Sequence, residues 1–442
     1  MRLRFSSLIF SLLTLFFVNP LHATAIQKTV LDNGLNVVLW EEHKAPVVTF
    51  QIWYKVGSRN EVSGKTGLSH LMEHMMFKGT EKYGKGAFSR IVAKNGGTEN
   101  AFTGNDYTAY FENLSADRIG LSLELESDRM QHLLIDPEEF LLERDVVMEE
   151  RRTRTDDDPY SYLVENLYAI AFLVHPYHTP VIGWMSDLEN LSREDIAAHY
   201  RTYYVPNNAT IVAVGDFDAE ALLEKIKRHF GTIPQGPDPP QRVPPEPEQI
   251  GMRRSIVKRE AQLPFVFIGY PAPNYTSPDT YALTVLSNIL SNGKSARLYH
   301  SLVYTQQIAL ETGGYYSGLT TDPEIFYLYA TAQKGTTPEA LEAALDAEIR
   351  RIQTEGVTQK ELEKAQNQIE AEYLMASDSN FYRGMQVGTA ETVGAGYQYV
   401  LDYTAEIRKV TTEDVRRAAQ TYLIEDKKNV GILIPKTKQE HP

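Results

Sequence analysis

The spacing of apolar and polar positions changes several times along the chain, and each change predicts a different element. Residues 49–58 (TFQIWYKVGS) form a strand-like run that ends in a turn. Residues 119–134 place apolar side chains at helical spacing, with Asp136 and Pro137 behind them as a stop. Residues 137–154 begin with proline and carboxylates and end with arginines, which suits a helix macrodipole. The first half therefore mixes strands with amphipathic helices.

The second half repeats these patterns. Residues 264–273 (PFVFIGYPAP) are another apolar run that ends in a turn. Residues 337–356 and 358–374 are long amphipathic patterns, and Gly356 closes the first of them in the manner of a helix C-terminus. We therefore expect two long helices after the strands of this half.

The ends of the two halves also match. Residues 191–218 and 410–438 align at a constant offset of 219, so that Glu194 meets Glu413 and Tyr203 meets Tyr422. In both segments a Ser or Thr precedes a helical pattern with early carboxylates, and a short turn and an apolar strand follow. The sequence thus predicts an α+β fold with two homologous α+β domains, each an antiparallel-rich sheet covered by helices.

A proline-rich stretch separates the halves. Residues 234–249 (PQGPDPPQRVPPEPEQ) cannot pair as a central strand or continue a helix, and they predict an extended, semi-rigid linker. The expected organisation is an N-terminal domain at 26–233, this linker, and a C-terminal domain at 250–442. Opposite the histidines described below, the second half offers apolar or small residues in YALTVLSNIL, so we expect no zinc ligands there.

Composition and charge narrow the setting. The chain has 442 residues and a formal charge of −14, which argues against a nucleic-acid-binding surface. Residues 1–25 carry two arginines, then an apolar stretch, then an A-x-A ending, which predicts a signal peptide cleaved after Ala25. An uncleaved anchor is the alternative, and no later stretch is long enough to span a membrane. With no cysteine in the chain, the sequence fits export to a bacterial periplasm.

Two histidines and a glutamate interrupt an apolar run at residues 67–80 (GLSHLMEHMMFKGT). In a helix, His70 and His74 lie one turn apart, so both imidazoles leave the same face. Neutral imidazoles at this spacing suit Zn²⁺, and Glu73 beside them can act as a general base. The order H-x-x-E-H is the inverted form of the commoner zinc-peptidase motif. The other reading is a satisfied polar cluster inside a core.

A zinc site needs a third protein ligand on another element. The run ERDVVMEERR offers Glu143, Glu149 and Glu150. Glu143 and Glu150 are seven residues apart and share one helix face, whereas Glu149 points away from Glu150. Acidic residues on a helix are usually solvated, but the neighbouring valines and methionine predict that this helix is partly buried.

These motifs together resemble the pitrilysin-type M16 metallopeptidases, which include insulin-degrading enzyme and the β subunit of the mitochondrial processing peptidase. The resemblance rests on HLMEH, on Glu150 in RDVVMEE, 76 residues after His74, and on three further segments, at residues 96–111, 175–196 and 203–218. It covers nearly the whole chain after residue 25, and it implies a fold of two homologous α+β domains.

The resemblance also implies a role for individual residues. His70, His74 and Glu150 match the three ligands of one Zn²⁺ per chain, and Glu73 matches the general base. Glu143 matches a carboxylate that supports the metal site from outside. Asn100 and Ala101 match positions where the family binds substrate main chain by adding it to a sheet edge.

The family pattern breaks in the second half. Members that work as one chain carry an Arg and, seven residues later, a Tyr that bind the substrate carbonyl. Val303 and Leu310 occupy those positions here, and neither side chain can donate a hydrogen bond. A shifted alignment would bring in other donors nearby, namely Arg297, Tyr299, Tyr304 and Tyr315.

Half-size bacterial members of this family also work as pairs, in which one chain carries the zinc motif and the other the Arg/Tyr pair. We therefore expect a zinc endopeptidase that acts on peptides or unfolded segments as the zinc-bearing subunit of a heterodimer. A symmetric homodimer would hold two zinc sites and no Arg/Tyr pair, which is chemically less satisfying. The alternatives are a structural M16-like subunit and a peptide-binding protein with negligible hydrolysis.

Overall fold

The structure is a computed structural model that describes residues 26–240 and 243–436. The predicted signal peptide, residues 1–25, lies outside the described residues, as do 437–442. Among the described helices, none combines the length and apolar character that a membrane crossing requires.

Eleven strands are present in the described residues, and they form one six-stranded and one five-stranded sheet. Their bounds are β1 Ile26–Val30, β2 Asn36–Glu41, β3 Val47–Tyr54, β4 Thr98–Thr103, β5 Thr108–Ser115, β6 Ala209–Gly215, β7 Arg253–Glu260, β8 Phe265–Ala272, β9 Ala309–Tyr315, β10 Glu324–Ala332 and β11 Asn429–Lys436.

Fourteen α-helices cover these sheets within the described ranges. They are α1 Leu68–Met75, α2 Ala87–Lys94, α3 Ile119–His132, α4 Pro137–Arg151, α5 Pro159–Ala171, α6 Met185–Leu188, α7 Arg193–Tyr203, α8 Ala219–Phe230, α9 Asp279–Ser291, α10 Pro338–Glu355, α11 Gln359–Ala376, α12 Asn380–Val393, α13 Tyr397–Lys409 and α14 Thr412–Tyr422. The helices expected at 119–134, 137–154, 337–356 and 358–374 are therefore present as α3, α4, α10 and α11.

The two sheets share one strand order. The first runs β1-β2-β6-β3-β5-β4 and the second β7-β11-β8-β10-β9, so that the second repeats the first without its outermost strand β1. In each sheet one pair is parallel, β2–β6 and β7–β11, and the other pairs are antiparallel. The predicted fold, two related α+β units with antiparallel-rich sheets, is confirmed.

The helix caps that the repeated sequence pattern predicts are present in both halves. Ser192 caps α7 and Thr411 caps α14, and each makes a reciprocal capping box with an aspartate three residues later. Each helix then leads through a short turn into an interior strand of its own sheet, β6 or β11. All of β6 and the first five residues of β11 are buried, which suits strands whose two faces are both packed.

Each half lends one helix to the sheet of the other. Leu163 and Leu167 of α5, from the first half, pack with Phe267 and Leu433 of the second sheet. In the reverse direction, α12 from the second half lies on β3 and β6 of the first sheet, where Val387 packs near Trp53. Because each exchanged helix is buried against the opposite sheet, the two halves form one continuous packed body.

The proline-rich stretch lies between α8 and β7, and its described residues contain no helix or strand. It is held to the first half, because the Glu246 carboxylate accepts hydrogen bonds from the backbone amides of Leu173, Val174 and His175 at 2.7–3.1 Å. Nearby, Gln249 donates to the Lys428 carbonyl before β11. This segment therefore contacts both halves.

Candidate metal centre

Helix α1 carries the H-x-x-E-H motif, and its start is fixed by two features. Gly67 precedes the helix with φ +86°, and a Cβ there would lie 2.7 Å from the Ile182 carbonyl oxygen. The buried Glu61 carboxylate accepts hydrogen bonds from the Gly67 and Ser69 amides, both at 2.7 Å, and so satisfies the free amides of the first turn. Burial raises the pKa of Glu61 to about 7.

Helix α4 runs beside α1 and presents Glu143 and Glu150. Asp136 caps its first turn, and Pro137 occupies the first helical position. After Arg151 the backbone continues as a π-helical turn at Arg152–Asp156. Such turns occur often at functional sites.

Three candidate ligand atoms meet between these helices. Glu150 Oε2 lies 3.9 Å from His70 Nε2 and 3.6 Å from His74 Nε2. Ligand atoms bound tetrahedrally at about 2.0–2.1 Å from one zinc ion lie roughly 3.3 Å from each other. A small inward adjustment of side chains would thus let these three atoms bind one ion. Within residues 26–240 and 243–436, no other group of His, Cys, Asp and Glu side chains is arranged to hold a metal.

Charge and hydrogen bonding keep the imidazoles available for a metal. Burial, followed by the nearby charges of His74 and Arg154, lowers the pKa of His70 to about 4, so its ring is neutral at pH 7. The ring of His74 is oriented by Glu143, whose Oε2 lies 3.2 Å from His74 Nδ1. Because a carboxylate oxygen can only accept, Nδ1 is the donor in this contact, and Nε2 of the same ring faces Glu150.

The two carboxylates of α4 are themselves paired with cations. Lys78 contacts Glu143 Oε1, and Arg154 on the π-helical turn contacts Glu150 Oε1. Burial acts to raise the pKa of Glu143, but its contacts with His74 and Lys78 outweigh that effect and hold the pKa below its usual value. Glu149 instead points outward and pairs with Arg152, at 3.0 Å. The structure thus brings Glu143 and Glu150 to the histidines and leaves Glu149 outside.

Glu73 lies beside the histidines on the same helix. Burial raises the pKa of its carboxyl, and a hydrogen bond from Thr103 opposes this rise. Thr103 Oγ1 donates to Glu73 Oε2 at 2.5 Å. The sequence reasoning did not single out Thr103, because no spacing rule connects a strand residue to a helix residue 30 positions earlier.

Asn100 and Ala101 lie on β4, the edge strand of the first sheet. Their backbones pair with Phe111 and Tyr110 of β5 on one side. Among the described residues no strand covers the other side, so the outer edge of β4 is free to accept an extended segment. Asn100 is exposed and Ala101 is half-buried.

The second half contains a polar counterpart of this site. A shift of 218 places the start of β3, Val47, on the start of β8, Phe265. The same shift places Asn288, Ser291 and Asn292 opposite His70, Glu73 and His74. The expectation of apolar or small residues there was wrong for the two asparagines. Zinc in proteins is held by Cys, His, Asp and Glu, and none of these residue types occupies the three positions.

This counterpart borders a cavity of about 610 Å³. Its walls come from α9, β9, α11 and α13, and Asn292 donates to the Glu372 carboxylate at 2.8 Å. The contact between Glu372 on α11 and Asn292 therefore resembles the one between Glu150 on α4 and His74 in the first half. A second cavity, of about 540 Å³, lies in the first half between α5 and the loop at residues 177–182, and Thr155 of the π-helical turn lines it.

The structure also tests the residues near the missing Arg/Tyr pair. The Arg297 guanidinium is fixed by two hydrogen bonds to the Glu361 carboxylate, at 2.7 and 2.9 Å, and by one to the Gly356 carbonyl. It is therefore held inside the second half. Tyr304 and Tyr315 are exposed, as is Leu310.

Comparison with known proteins agrees with this architecture. The family model described as insulinase (peptidase family M16) matches residues 36–183, and the model described as peptidase M16 inactive domain matches residues 190–369. The second match begins well before the proline-rich stretch.

Several relatives match over most of their length. The zinc protease PqqE of Helicobacter pylori is 33% identical over 92% of this chain and 93% of its own. An uncharacterized zinc protease of Streptomyces coelicolor is 27% identical over 90% of this chain and 87% of its own. The crystal structure of a protease from Helicobacter pylori superposes with a TM-score of 0.89 at 33% identity, covering 93% of this chain and all of the other. The chain therefore belongs to the M16 peptidase family.

Proposed function

We propose that this chain is a zinc-dependent endopeptidase, with one Zn²⁺ held by His70, His74 and Glu150 and with Glu73 as general base. The observation that carries the proposal is the convergence of His70 Nε2, His74 Nε2 and Glu150 Oε2, with Glu73 between the two histidines on α1. The neutral state of His70 and the contact between His74 and Glu143 support the same assignment.

Zinc bound there would supply a Lewis acid that polarises the scissile carbonyl and makes a nearby water more acidic. The residues of the chain would carry out the proton transfers. Glu73 would take a proton from the attacking water and later give it to the leaving amine. Its raised pKa brings the carboxyl closer to the neutral range, where it can both accept and release a proton.

The substrates in this proposal are peptides or unfolded segments. The free outer edge of β4 would hold the peptide main chain through the backbone around Asn100 and Ala101. Main-chain pairing makes modest demands on sequence. The cavity of about 540 Å³, whose lining includes Tyr160, Tyr168 and Ile182, offers room for an apolar substrate side chain.

We further propose that the chain works with a second, homologous subunit that supplies the Arg/Tyr pair. Val303 and Leu310 cannot stabilise an oxyanion, and Arg297 is held by Glu361. We also propose that the chain is exported to a bacterial periplasm and that its two domains span residues 26–233 and 250–442. Homologues described as zinc proteases support the chemistry.

Zinc content and hydrolysis of a quenched fluorescent peptide test the assignment. Glu73→Gln should keep one zinc per chain and lose hydrolysis. Glu150→Gln should lose both, whereas Glu149→Gln, the adjacent exposed control, should keep both. A chain that loses zinc on Glu149→Gln but keeps it on Glu150→Gln would contradict the ligand set.

The partner is tested separately. The chain should cleave slowly alone and much faster when mixed with a homologous zinc-less subunit that carries an Arg/Tyr pair. A full rate from the chain alone would rule out the need for that subunit. A zinc-bound chain that never cleaves the peptide but still binds it would favour the alternative function, a peptide-binding M16-like subunit. The match of residues 190–369 to the inactive-domain model is compatible with that alternative.

A further inference from the structure

The strand that offers the free sheet edge also holds the candidate base. Thr103 is the last residue of β4, and its hydroxyl donates to Glu73 Oε2 at 2.5 Å. Within the described ranges, no other hydrogen bond reaches the Glu73 carboxylate. No donor in those ranges reaches Oε1, so its lone pairs remain open to a proton.

The backbone at Thr103 is held firmly. Thr103 pairs with Thr108 across a tight turn, and the Gly104 amide donates to the Tyr107 carbonyl at 2.8 Å. The turn rests on Gly57, where an added Cβ would lie 2.3 Å from the Gly104 carbonyl oxygen. The amide of Arg59 donates to the Asn105 carbonyl at 2.9 Å.

The second half braces the same turn. The Asp106 carboxylate accepts hydrogen bonds from the Tyr177 hydroxyl at 2.8 Å and from the Thr321 amide at 3.0 Å. Arg59, almost fully buried, donates to Asp322 at 2.5 Å. Buried charged contacts of this kind are costly to break, so they fix the turn relative to both halves.

We propose that Thr103 is a positioning residue for catalysis: its hydroxyl holds the Glu73 carboxylate in the orientation that proton transfer requires. The inference rests on the proposed peptidase function. Thr103 lies two residues beyond Ala101, so one strand presents its edge to the peptide and its terminal hydroxyl to the base. A reacting group that is already held in the required orientation loses less entropy on reaching the transition state, and this lowers the activation free energy.

Two substitutions separate the hydroxyl from the shape of the side chain. Thr103→Val keeps the β-branched shape and removes the donor, and Thr103→Ser keeps the donor. If a hydrogen bond to a charged group is lost where it stabilises the transition state, the rate constant falls by about 10- to 100-fold. We expect Thr103→Val to lower kcat by about that factor, with KM and zinc content unchanged, and Thr103→Ser to stay within a few-fold of the unmodified chain.

A matched control comes from the opposite edge of the same sheet. Thr29 lies on β1, away from the metal centre, and Thr29→Val should leave kcat and KM unchanged. Unchanged kcat in Thr103→Val, or a loss in Thr103→Ser equal to that in Thr103→Val, would overturn the proposal. So would a loss of zinc or a large rise in KM in Thr103→Val, because either would indicate a general structural role.

Crystal structures of the variants provide a readout that does not need activity. The Glu73 carboxylate should keep its place in Thr103→Ser and turn away or become disordered in Thr103→Val. If the carboxylate keeps its place in Thr103→Val, the inference fails. A zinc-bound chain that never cleaves peptide, with or without a partner subunit, would refute the peptidase proposal, while these structures would still decide the role of Thr103.

Discussion

Glu143 shows how a residue that need not touch the metal can control it. Its carboxylate lies 3.2 Å from His74 Nδ1 and is also paired with Lys78. Removing it in Glu143→Ala leaves the ring free to rotate and to move its proton to the other nitrogen. We expect zinc affinity to fall by about 10- to 100-fold, measured by competition with a fluorescent chelator.

Asp145→Ala is the control for this prediction. Asp145 lies on the same helix two residues away, and its side chain is 70% exposed and makes no contact with the histidines. Its zinc affinity should match that of the unmodified chain. Equal affinities for Glu143→Ala and Asp145→Ala would show that the contact with His74 has no effect on metal binding.

His199 makes stability depend on pH. It is buried in α7 with Nε2 3.4 Å from Ser69 Oγ, and burial lowers its pKa to about 3. In the unfolded chain an ordinary histidine binds a proton near pH 6.5, so acid favours unfolding as soon as the pH falls below that value. The stability that the neutral ring contributes at pH 7 is therefore lost progressively between about pH 6.5 and pH 3.

The substitution His199→Gln removes this proton-binding group and keeps a polar side chain. Between pH 7 and pH 5 the free energy of unfolding of the unmodified chain should fall by about 2 kcal/mol more than that of the variant. Urea titrations of both proteins, at both pH values and without added metal, measure the difference. Parallel pH dependence would contradict a buried neutral ring.

At the scale of elements, the contact of α12 with the first sheet depends on two glycines. Gly384 lies over Gln51 and Gly388 over Trp53, and a Cβ on Gly388 would lie 2.1 Å from the indole ring. Trp53 is completely buried and donates to Gln51 at 3.0 Å, so it has no room to move. Gly388→Ala should therefore lower the free energy of unfolding by about 1–3 kcal/mol.

Gly120→Ala is the comparison for this change. Gly120 lies in α3, and a Cβ there would meet no atom within 4 Å. Because alanine favours the helix, this substitution should leave stability unchanged or raise it by up to about 1 kcal/mol. Thermal or urea unfolding of both variants measures the contrast. Equal effects would mean that α12 is not tightly packed on the sheet.

The same scale shows which parts of the fold could be predicted. The helices α3, α4, α10 and α11 follow from apolar spacing, caps and stops, which are all local. The sequence did not predict that α5 would cover the second sheet, because an amphipathic pattern shows that a face is buried and says nothing about its partner. Likewise, Asn288 and Asn292 are identified as counterparts of the histidines only by matching the strands of the two sheets.

At the scale of the whole molecule, the exchange of α5 and α12 makes the halves depend on each other. Leu163 and Leu167 are fully buried against the second sheet, and α12 covers part of the first. We expect residues 26–240 and 243–436, produced separately, to aggregate or remain unfolded. Each alone would expose an apolar surface that the other half covers in the intact chain.

Co-expression of the two fragments should restore a soluble complex with zinc bound, because the contacts between the halves do not require the linker to be intact. Size-exclusion chromatography and zinc analysis of the co-expressed pair measure this result. If the first fragment alone folds and binds zinc with full affinity, the exchanged helices are not essential to the metal centre.

By itself, the sequence determined the two histidines and a short list of glutamates as metal candidates, and the resemblance to the M16 family chose Glu150 from that list. His70 and His74 are one helical turn apart, and Glu143 and Glu150 are two turns apart, so each pair is aligned by the geometry of a single helix. The sequence also determined the repeat, because caps and apolar strands recur at a fixed offset. Such features need no knowledge of how distant segments meet.

Only the tertiary structure decided which distant residues complete the site. It placed Thr103 against Glu73, fixed Arg297 on Glu361, and set Asp322 of the second half against Arg59 of the first. These contacts join residues 30 to 263 positions apart. The packing of whole helices and sheets brings such residues together, and no local pattern in the sequence records which of the many polar side chains will meet.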